Sequence, residues 1–122
     1  MTTVKSYRDL IVWQKSITLT KKIYAFTQLF PKEEIYGLTS QMRRAAVSIA
    51  CNIAEGQARN STGEFIQFLG ISKGSLAELE TLQLLSKEMN FLTEENYLTL
   101  SNNCAEINKL LTALIKSLST RH

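Results

Sequence analysis

The chain has 122 residues, of which 44% are hydrophobic and 20% charged, and its formal net charge is +3. This length and balance predict one soluble domain that needs no disulfides, and one Pro with five Gly leaves little material for hairpins. Because the sequence has neither an apolar signal region nor a run of about eighteen apolar residues, we expect a cytoplasmic protein without a membrane-spanning helix.

Helical periodicity in the first half predicts two helices. The first covers about 8–30 and ends where Pro31 removes a backbone donor, and the second covers about 38–59, after Gly37. Inward positions are expected to alternate steps of three and four residues. In the first helix this rule selects Leu10, Trp13, Ile17, Thr20, Tyr24 and Thr27. In the second it selects Leu38, Met42, Ala45, Ile49 and Asn52.

Two further helices are predicted in the second half. An S-x-x-E capping box at Ser61 precedes the helix at about 62–89, while Asn90 as a left-handed C-cap and Thr93 as an N-cap precede the helix at about 94–119. The inward positions of the third helix are Phe65, Phe68, Ser72, Ser75, Leu79, Leu82, Ser86 and Met89. Those of the fourth are Leu100, Cys104, Ile107, Leu111, Leu114 and Leu118. Four helices with short joins predict an all-α fold, an antiparallel up-down-up-down four-helix bundle with residues 1–122 as one domain.

The first helix has a second apolar stripe beside its predicted inward one. This stripe consists of Val12, Leu19, Ile23, Phe26 and Phe30. Left exposed, it would be a larger apolar patch than a monomer normally carries, so it predicts self-association with cyclic closure. Two alternatives stay open, since scattered surface apolarity is common and the stripe could instead dock another protein.

A row of polar residues crosses the second and third helices. Its members are Gln41, Ser48, Asn52 and Glu55 on the second helix and Ser75 and Glu78 on the third. One interpretation is a polar pocket for a ligand. The favoured interpretation is an inter-helix hydrogen-bond network that fixes the register of the helices, because buried polar groups are normally paired.

The residues that enzymes use are scarce. His122 is the only histidine, so no interior Ser–His or Cys–His pair can form and the Glu-x-x-His motif of di-iron bundles is absent. Cys51 and Cys104 are isolated and are interpreted as reduced core thiols. We expect no enzyme activity, no cofactor and no metal site.

The positive charge is concentrated in the first half of the chain. Residues 1–59 hold nine Lys or Arg against four Asp or Glu, a net +5, and residues 60–122 hold five against seven, a net −2. The candidates for contacting a nucleic-acid backbone are Lys15, Lys21, Lys22, Arg43, Arg44 and Arg59, with Lys5 and Arg8 near the start. The alternative is an ordinary solvated surface, since no recognised nucleic-acid-binding motif is present.

Three segments resemble a known family. They are YRDLIVWQKS, FPKEEIYGLTSQMRRAAVSIACNIAEG and FLGISKGSLAELETL, and together they resemble the four-helix bundle family that includes the intervening-sequence proteins of bacterial 23S ribosomal RNA genes. The likeness spans residues 7–118. The matching positions are Leu10, Trp13, Leu38, Gln41, Arg44, Ser48, Asn52, Glu55, Gly56, Ser75, Leu76, Glu78 and Leu79.

The resemblance implies a function as well as a fold. Proteins of this family form bundles that assemble as cyclic pentamers, and the more distantly similar accessory protein of diversity-generating retroelements binds nucleic acid and a reverse transcriptase. The resulting hypothesis is a non-enzymatic homo-oligomer, a pentamer, that associates with RNA or DNA through its basic face. The alternatives are a scaffold for a protein partner and, ranked last, an enzyme with a polar site around Asn52, Glu55 and Glu78.

Overall fold

Four long helices make up the chain, as a computed structural model describes it for residues 6–121. The helices are α1 (Ile11–Thr27), α2 (Leu38–Gln57), α3 (Thr62–Glu88) and α4 (Glu94–Arg121), with 3₁₀ turns at Tyr7–Asp9 and Lys32–Glu34. No strand occurs in this part of the chain, so the all-α prediction is confirmed. Lys5 and His122 lie outside the described residues.

The helices form a square bundle. Each helix packs against the next one in the chain, and α1 packs against α4, whereas the diagonal pairs of the described helices have no Cα atoms within 8 Å of each other. Since each short join reverses the chain, this is the predicted up-down-up-down arrangement. Buried side chains from all four helices, among them Ile23, Ile49, Leu76 and Leu111, form one continuous core.

The predicted caps between the later helices are present, but only half of the Ser61 capping box forms, since Glu64 Oε1 accepts from the Ser61 hydroxyl at 3.2 Å rather than from its backbone N–H. Ser61 Oγ accepts a hydrogen bond of 3.1 Å from the Glu64 backbone, and Thr93 Oγ1 accepts one of 3.1 Å from the Asn96 backbone. Asn90 has a φ of 65°, the left-handed conformation of a helix C-cap. These short-range bonds fix where α3 begins and where α4 follows it.

The bounds of the first helix differ from the prediction of about 8–30. Ser6 and Asp9 cap a separate 3₁₀ turn, and Leu10 is extended, so α1 begins only at Ile11. At the other end, the Phe30 backbone N–H bonds to Thr27 O at 3.1 Å, three residues back rather than four. The last turn is therefore tightened before Pro31, and α1 ends at Thr27.

The stripe of α1 predicted as an oligomer interface is the inward face of the helix. Val12, Leu19, Ile23 and Phe30 are buried in the core, and Phe26 packs against it. The stripe predicted to be inward is so only in part: Thr27 is buried and Leu10 and Trp13 pack against the core, whereas Ile17 is 36% exposed and Tyr24 43% exposed.

A buried hydroxyl contributes to this error. Ser16 lies on the core face and donates to Val12 O at 2.7 Å, so this polar residue is satisfied within its own helix although the spacing rule favours apolar residues there. Thr27, which was predicted to be inward, is satisfied in the same way by Ile23 O at 2.6 Å. Ile17 follows Val12 by five residues, which is about 140° around the helix and away from the core.

The remaining inward positions largely agree with the spacing rule. Leu100, Cys104, Ile107 and Leu111 of α4 are buried as predicted, whereas Met89, placed inward by the prediction, is half exposed. The Met89 backbone N–H still bonds to Leu85 O at 2.9 Å, so Met89 continues the last turn of α3 on the side of Leu85, which is also half exposed. Leu69, Leu76 and Gln83 of α3 are buried although the rule did not select them.

Candidate functional site

A polar groove of about 410 Å³ runs between α2 and α3. Its lining residues are Gln41, Arg44, Ala45, Ser48, Ser75 and Glu78. Because α2 and α3 are antiparallel neighbours, polar positions at the middle of each helix meet at this seam. The groove brings together four members of the predicted polar row, Gln41, Ser48, Ser75 and Glu78.

Hydroxyl and amide groups join the two helices below the groove. Ser48 Oγ and Ser75 Oγ lie 2.8 Å apart, and the Asn52 amide donates to Ser48 O at 2.8 Å and to Ser48 Oγ at 3.0 Å. Deeper in the bundle, the buried Ser72 hydroxyl donates to Ile49 O at 2.9 Å. These bonds leave no buried side-chain N or O atom without a partner in the described part of the chain. The bonds from Ser48 to Ser75 and from Ser72 to Ile49 O thus hold α2 and α3 in one register.

Two opposite charges line the groove without partners. Arg44 and Glu78 are exposed, and neither makes a hydrogen bond or an ion pair with any described residue. Arg44 offers guanidinium donors and Glu78 offers carboxylate acceptors. Chemically, this arrangement suits recognition of a polar or charged group.

The last-ranked enzyme hypothesis required Asn52, Glu55 and Glu78 to converge, and the structure does not bring them together. Glu55 forms an ion pair of 2.7 Å with Arg59, four residues further along the chain and just past the end of α2, and Asn52 bonds to Ser48. Neither lines the groove that contains Glu78. Glu55 also lies apart from the inter-helix network in which it was predicted.

The predicted basic residues do not form one patch. On the seam between α1 and α4, Lys15 pairs with Glu106 at 3.2 Å and Lys22 donates to Asn103 at 3.0 Å. Lys21 is exposed between them in sequence and makes no interaction with a described residue. Of the three α1 lysines, Lys21 is therefore the one whose ammonium group has no partner among the described residues and can contact an anion.

The arginines lie on other seams. Arg43 donates to Thr27 Oγ1 at 3.0 Å and stacks at 4.6 Å over the Tyr24 ring, between α1 and α2. Arg59 lies over the Phe68 ring at 4.8 Å and also approaches Glu64. Of the six candidates, Lys21 and Arg44 alone lack a partner among the described residues.

The two cysteines differ in environment. Burial raises the pKa of the Cys104 thiol to about 12, the negative charge of Glu80 raises it further, and a hydrogen bond to Gln83 opposes the shift. Cys104 is the core thiol that the sequence predicts. Cys51 is exposed instead, because it follows the buried Met42 by nine residues, about half a turn away around α2.

One cavity was missed by the sequence. About 470 Å³ opens at the connection between α1 and α2, and its lining includes Arg43 together with Lys32, which was not among the candidates. The only signal there was the segment FPKEEIYG, which marks a helix break. A connection between helices has no helical or strand periodicity, so the sequence pattern does not show that its residues line a cavity.

The described residues show neither a metal site nor a membrane span. They hold no group of three His, Cys, Asp or Glu side chains placed to bind a metal ion. No helix among them combines the length and the apolar character that crossing a bilayer requires.

Comparison with known proteins gives a family match and a structural match. The family model described as 23S rRNA-intervening sequence protein matches residues 8–113. A crystal structure at 1.70 Å of a protein with unknown function from the S23 ribosomal protein family of Bacteroides thetaiotaomicron is similar, with 30% sequence identity and a TM-score of 0.80. That match covers 87% of this chain and 96% of the other. A search of curated proteins finds no match.

Proposed function

Because the chain belongs to the 23S rRNA-intervening sequence protein family, we propose that it is a non-enzymatic homo-oligomer, a cyclic pentamer, that associates with RNA or DNA. The observation that carries the nucleic-acid part is the net charge of +5 in residues 1–59, with Lys21 and Arg44 free of carboxylate partners among the described residues. Free cations can neutralise phosphates without first breaking an ion pair, and a ring repeats each of them in every subunit.

Exposed apolar side chains support the oligomer. Ile17 and Tyr24 of α1 and Val47 of α2 are each more than a third exposed, and the stacking of Arg43 over Tyr24 places Tyr24 beside the α1–α2 seam. Ile17 stands seven residues before Tyr24 and Val47 four residues after Arg43, so each lies on the same side of its helix as that contact. We call Ile17, Tyr24 and Val47 the α1–α2 face. We propose this face as the oligomer contact, because the α1 stripe first predicted for that role is part of the core.

A second apolar surface lies on α3. Ile71 and Leu85 are about half exposed and stand seven residues either side of Glu78, so the three share one line along the helix next to the groove. We call Ile71, Leu85 and the half-exposed Met89 the α3 ridge. A heterologous contact between two different sides of the bundle can close into a ring, and the number of five subunits comes from the resemblance to the family.

The nucleic-acid proposal is tested by titrating labelled RNA and DNA strands with the protein at increasing salt. The double variant Lys21→Gln/Arg44→Gln is compared with Lys109→Gln/Lys116→Gln, two exposed lysines of α4 that pair with no residue in the described part of the chain. We expect the first variant to bind more weakly, with a salt slope reduced by about 0.7 to 0.9 for each phosphate that the protein no longer neutralises, and the second to bind as the wild type. Absence of binding at low salt would refute the proposal.

One observation favours a second candidate, a scaffold for a protein partner. Arg44 and Glu78 line one groove beside the apolar α3 ridge, and a partner with a matching pair of charges could satisfy both. The variant Glu78→Gln separates the two functions. It should leave nucleic-acid binding unchanged or stronger, since it removes a negative charge, whereas it should weaken docking of such a partner.

A further inference from the structure

The cavity between α1 and α2 has the size of a small-molecule site. Its volume of about 470 Å³ falls within the range of roughly 300–1,000 Å³ found for ligand pockets. The lining residues are Thr27, Gln28, Phe30, Pro31, Lys32, Ile35, Thr39 and Arg43. They come from the last turn of α1, the connection and the first two turns of α2, so both helices support the site.

The guanidinium of Arg43 is held in place at this cavity. Its Nε donates to Thr27 Oγ1 at 3.0 Å, its Nη2 lies 3.5 Å from Tyr24 O, and the group stacks over the Tyr24 ring. Its Nη1 has no acceptor, and no carboxylate forms an ion pair with it, among the residues that the structure describes. A guanidinium that is oriented but still has free donors matches the oxygens of a phosphate.

The charge of the lining is entirely positive. Lys32 and Arg43 are its charged members, and Lys32 is exposed and forms no ion pair with a described residue. The two carboxylates nearest in the chain, Glu33 and Glu34, do not line the cavity, and Glu34 Oε1 accepts a hydrogen bond of 3.1 Å from the Leu38 backbone at the start of α2. The cavity therefore favours an anion.

The rest of the lining is suited to a flat apolar group. Pro31 and the half-exposed Ile35 supply apolar surface, and Phe30 contributes a small area, since it is buried and packs against Phe91 with ring centroids 5.8 Å apart. Next to Ile35 in the chain, Tyr36 is 92% exposed. Inorganic phosphate would contact the two cations but not the apolar lining residues, whereas a nucleotide would contact the cations through its phosphate and the apolar residues through its base.

We infer that this cavity binds one nucleotide, with the phosphate on Arg43 and Lys32 and the base against Phe30, Pro31 and Ile35. The nucleotide can be free or part of a single strand, and in a strand Tyr36 offers a neighbouring base a surface for stacking. The strand form rests on the proposed nucleic-acid function, and the free form does not.

The test measures the affinity of the full chain for a labelled single-stranded RNA, with competition by adenosine monophosphate and by inorganic phosphate. The variant is Lys32→Gln, an exposed substitution that leaves the core intact, and the matched control is Lys109→Gln on α4. We expect Lys32→Gln to weaken binding of the strand and of the mononucleotide about tenfold, the loss typical of one charge-assisted bond. The mononucleotide should compete better than phosphate.

Each alternative outcome has a defined meaning. If the strand binds but Lys32→Gln and Arg43→Lys bind it as tightly as the wild type, the cavity is not the site, while the proposed function stands. If the mononucleotide binds through Lys32 but no strand does, the inference holds for the free nucleotide and the proposed function fails. If neither the strand nor the mononucleotide binds, the inference is overturned.

Discussion

Replacing Gly56 by alanine tests how closely α2 and α3 approach each other. Gly56 is buried in the last turn of α2, and a Cβ atom there would lie 2.6 Å from Phe68 Cβ and 3.1 Å from Phe65 Cδ1. Phe68 Cβ is attached directly to the backbone, so no rotamer change can move it away. Alanine at this position therefore requires α3 to shift relative to α2.

The expected effect is the difference between two terms. Alanine is favoured over glycine inside a helix by about 1 kcal/mol, and forcing extra volume into a packed core costs about 1–3 kcal/mol. Since the clash involves backbone-attached atoms, we expect the cost to exceed the gain and Gly56→Ala to destabilise the protein by up to about 2 kcal/mol. The matched control is Gly74→Ala on the outer face of α3, where a Cβ meets nothing within 4 Å. It should stabilise the protein by up to about 1 kcal/mol.

The assay is urea unfolding followed by circular dichroism, with all variants at one protein concentration because an oligomer unfolds in a concentration-dependent way. The reasoning is refuted if Gly56→Ala is as stable as the wild type or more so. A destabilised Gly74→Ala would instead show that the outer face of α3 is covered in the assembly rather than open to solvent.

Three further predictions concern burial in the bundle. The pKa of Cys104 is about 12 in the folded protein against an ordinary value of 9.0, so the neutral buried thiol stabilises the fold fully below pH 9. This contribution to the free energy of unfolding is lost as the pH rises from 9 to about 12. The stability of Cys104→Ala should therefore fall less over that interval than that of the wild type. Ser72→Ala, which removes the buried bond to Ile49 O, should cost about 1 kcal/mol in urea unfolding, and an unchanged stability would contradict a satisfied bond there. Ile17→Asp should reduce the mass of the assembly in light scattering while its circular dichroism spectrum stays helical. Phe26→Asp should instead lose helicity, because Phe26 packs on the core. A Phe26→Asp variant that is as folded as Ile17→Asp would support the predicted interface stripe that contains Phe26.

Local signals were sufficient for most of the fold. Ser61, Asn90 and Thr93 act through bonds to residues near them in the chain, so the sequence contains all the information that their turns require. The spacing of Leu100, Cys104, Ile107 and Leu111 likewise reports burial directly, because one face of α4 is apolar and the others are not. Helices of this kind can be placed from the sequence alone.

The inward face of α1 could not be assigned in this way. Both candidate faces carry large apolar residues, and the choice between Ile17 and Leu19 depends on how the neighbouring helices pack rather than on α1 itself. For the polar row, by contrast, the sequence placed Ser48 and Ser75 on facing helices, and the i,i+4 spacing of Glu55 and Arg59 is itself a signal for the ion pair that removes Glu55 from the row.

The central claim is that the chain assembles into a ring that associates with nucleic acid, and light scattering on a size-exclusion column tests it most directly. Absorbance at two ultraviolet wavelengths, one dominated by nucleic acid and one by protein, is recorded across the same peak. We expect a mass of about 69 kDa, five times the 13.8 kDa of one chain, with excess nucleic-acid absorbance when the protein is isolated at low salt. A peak at the mass of a single chain, with no such excess, would contradict the claim.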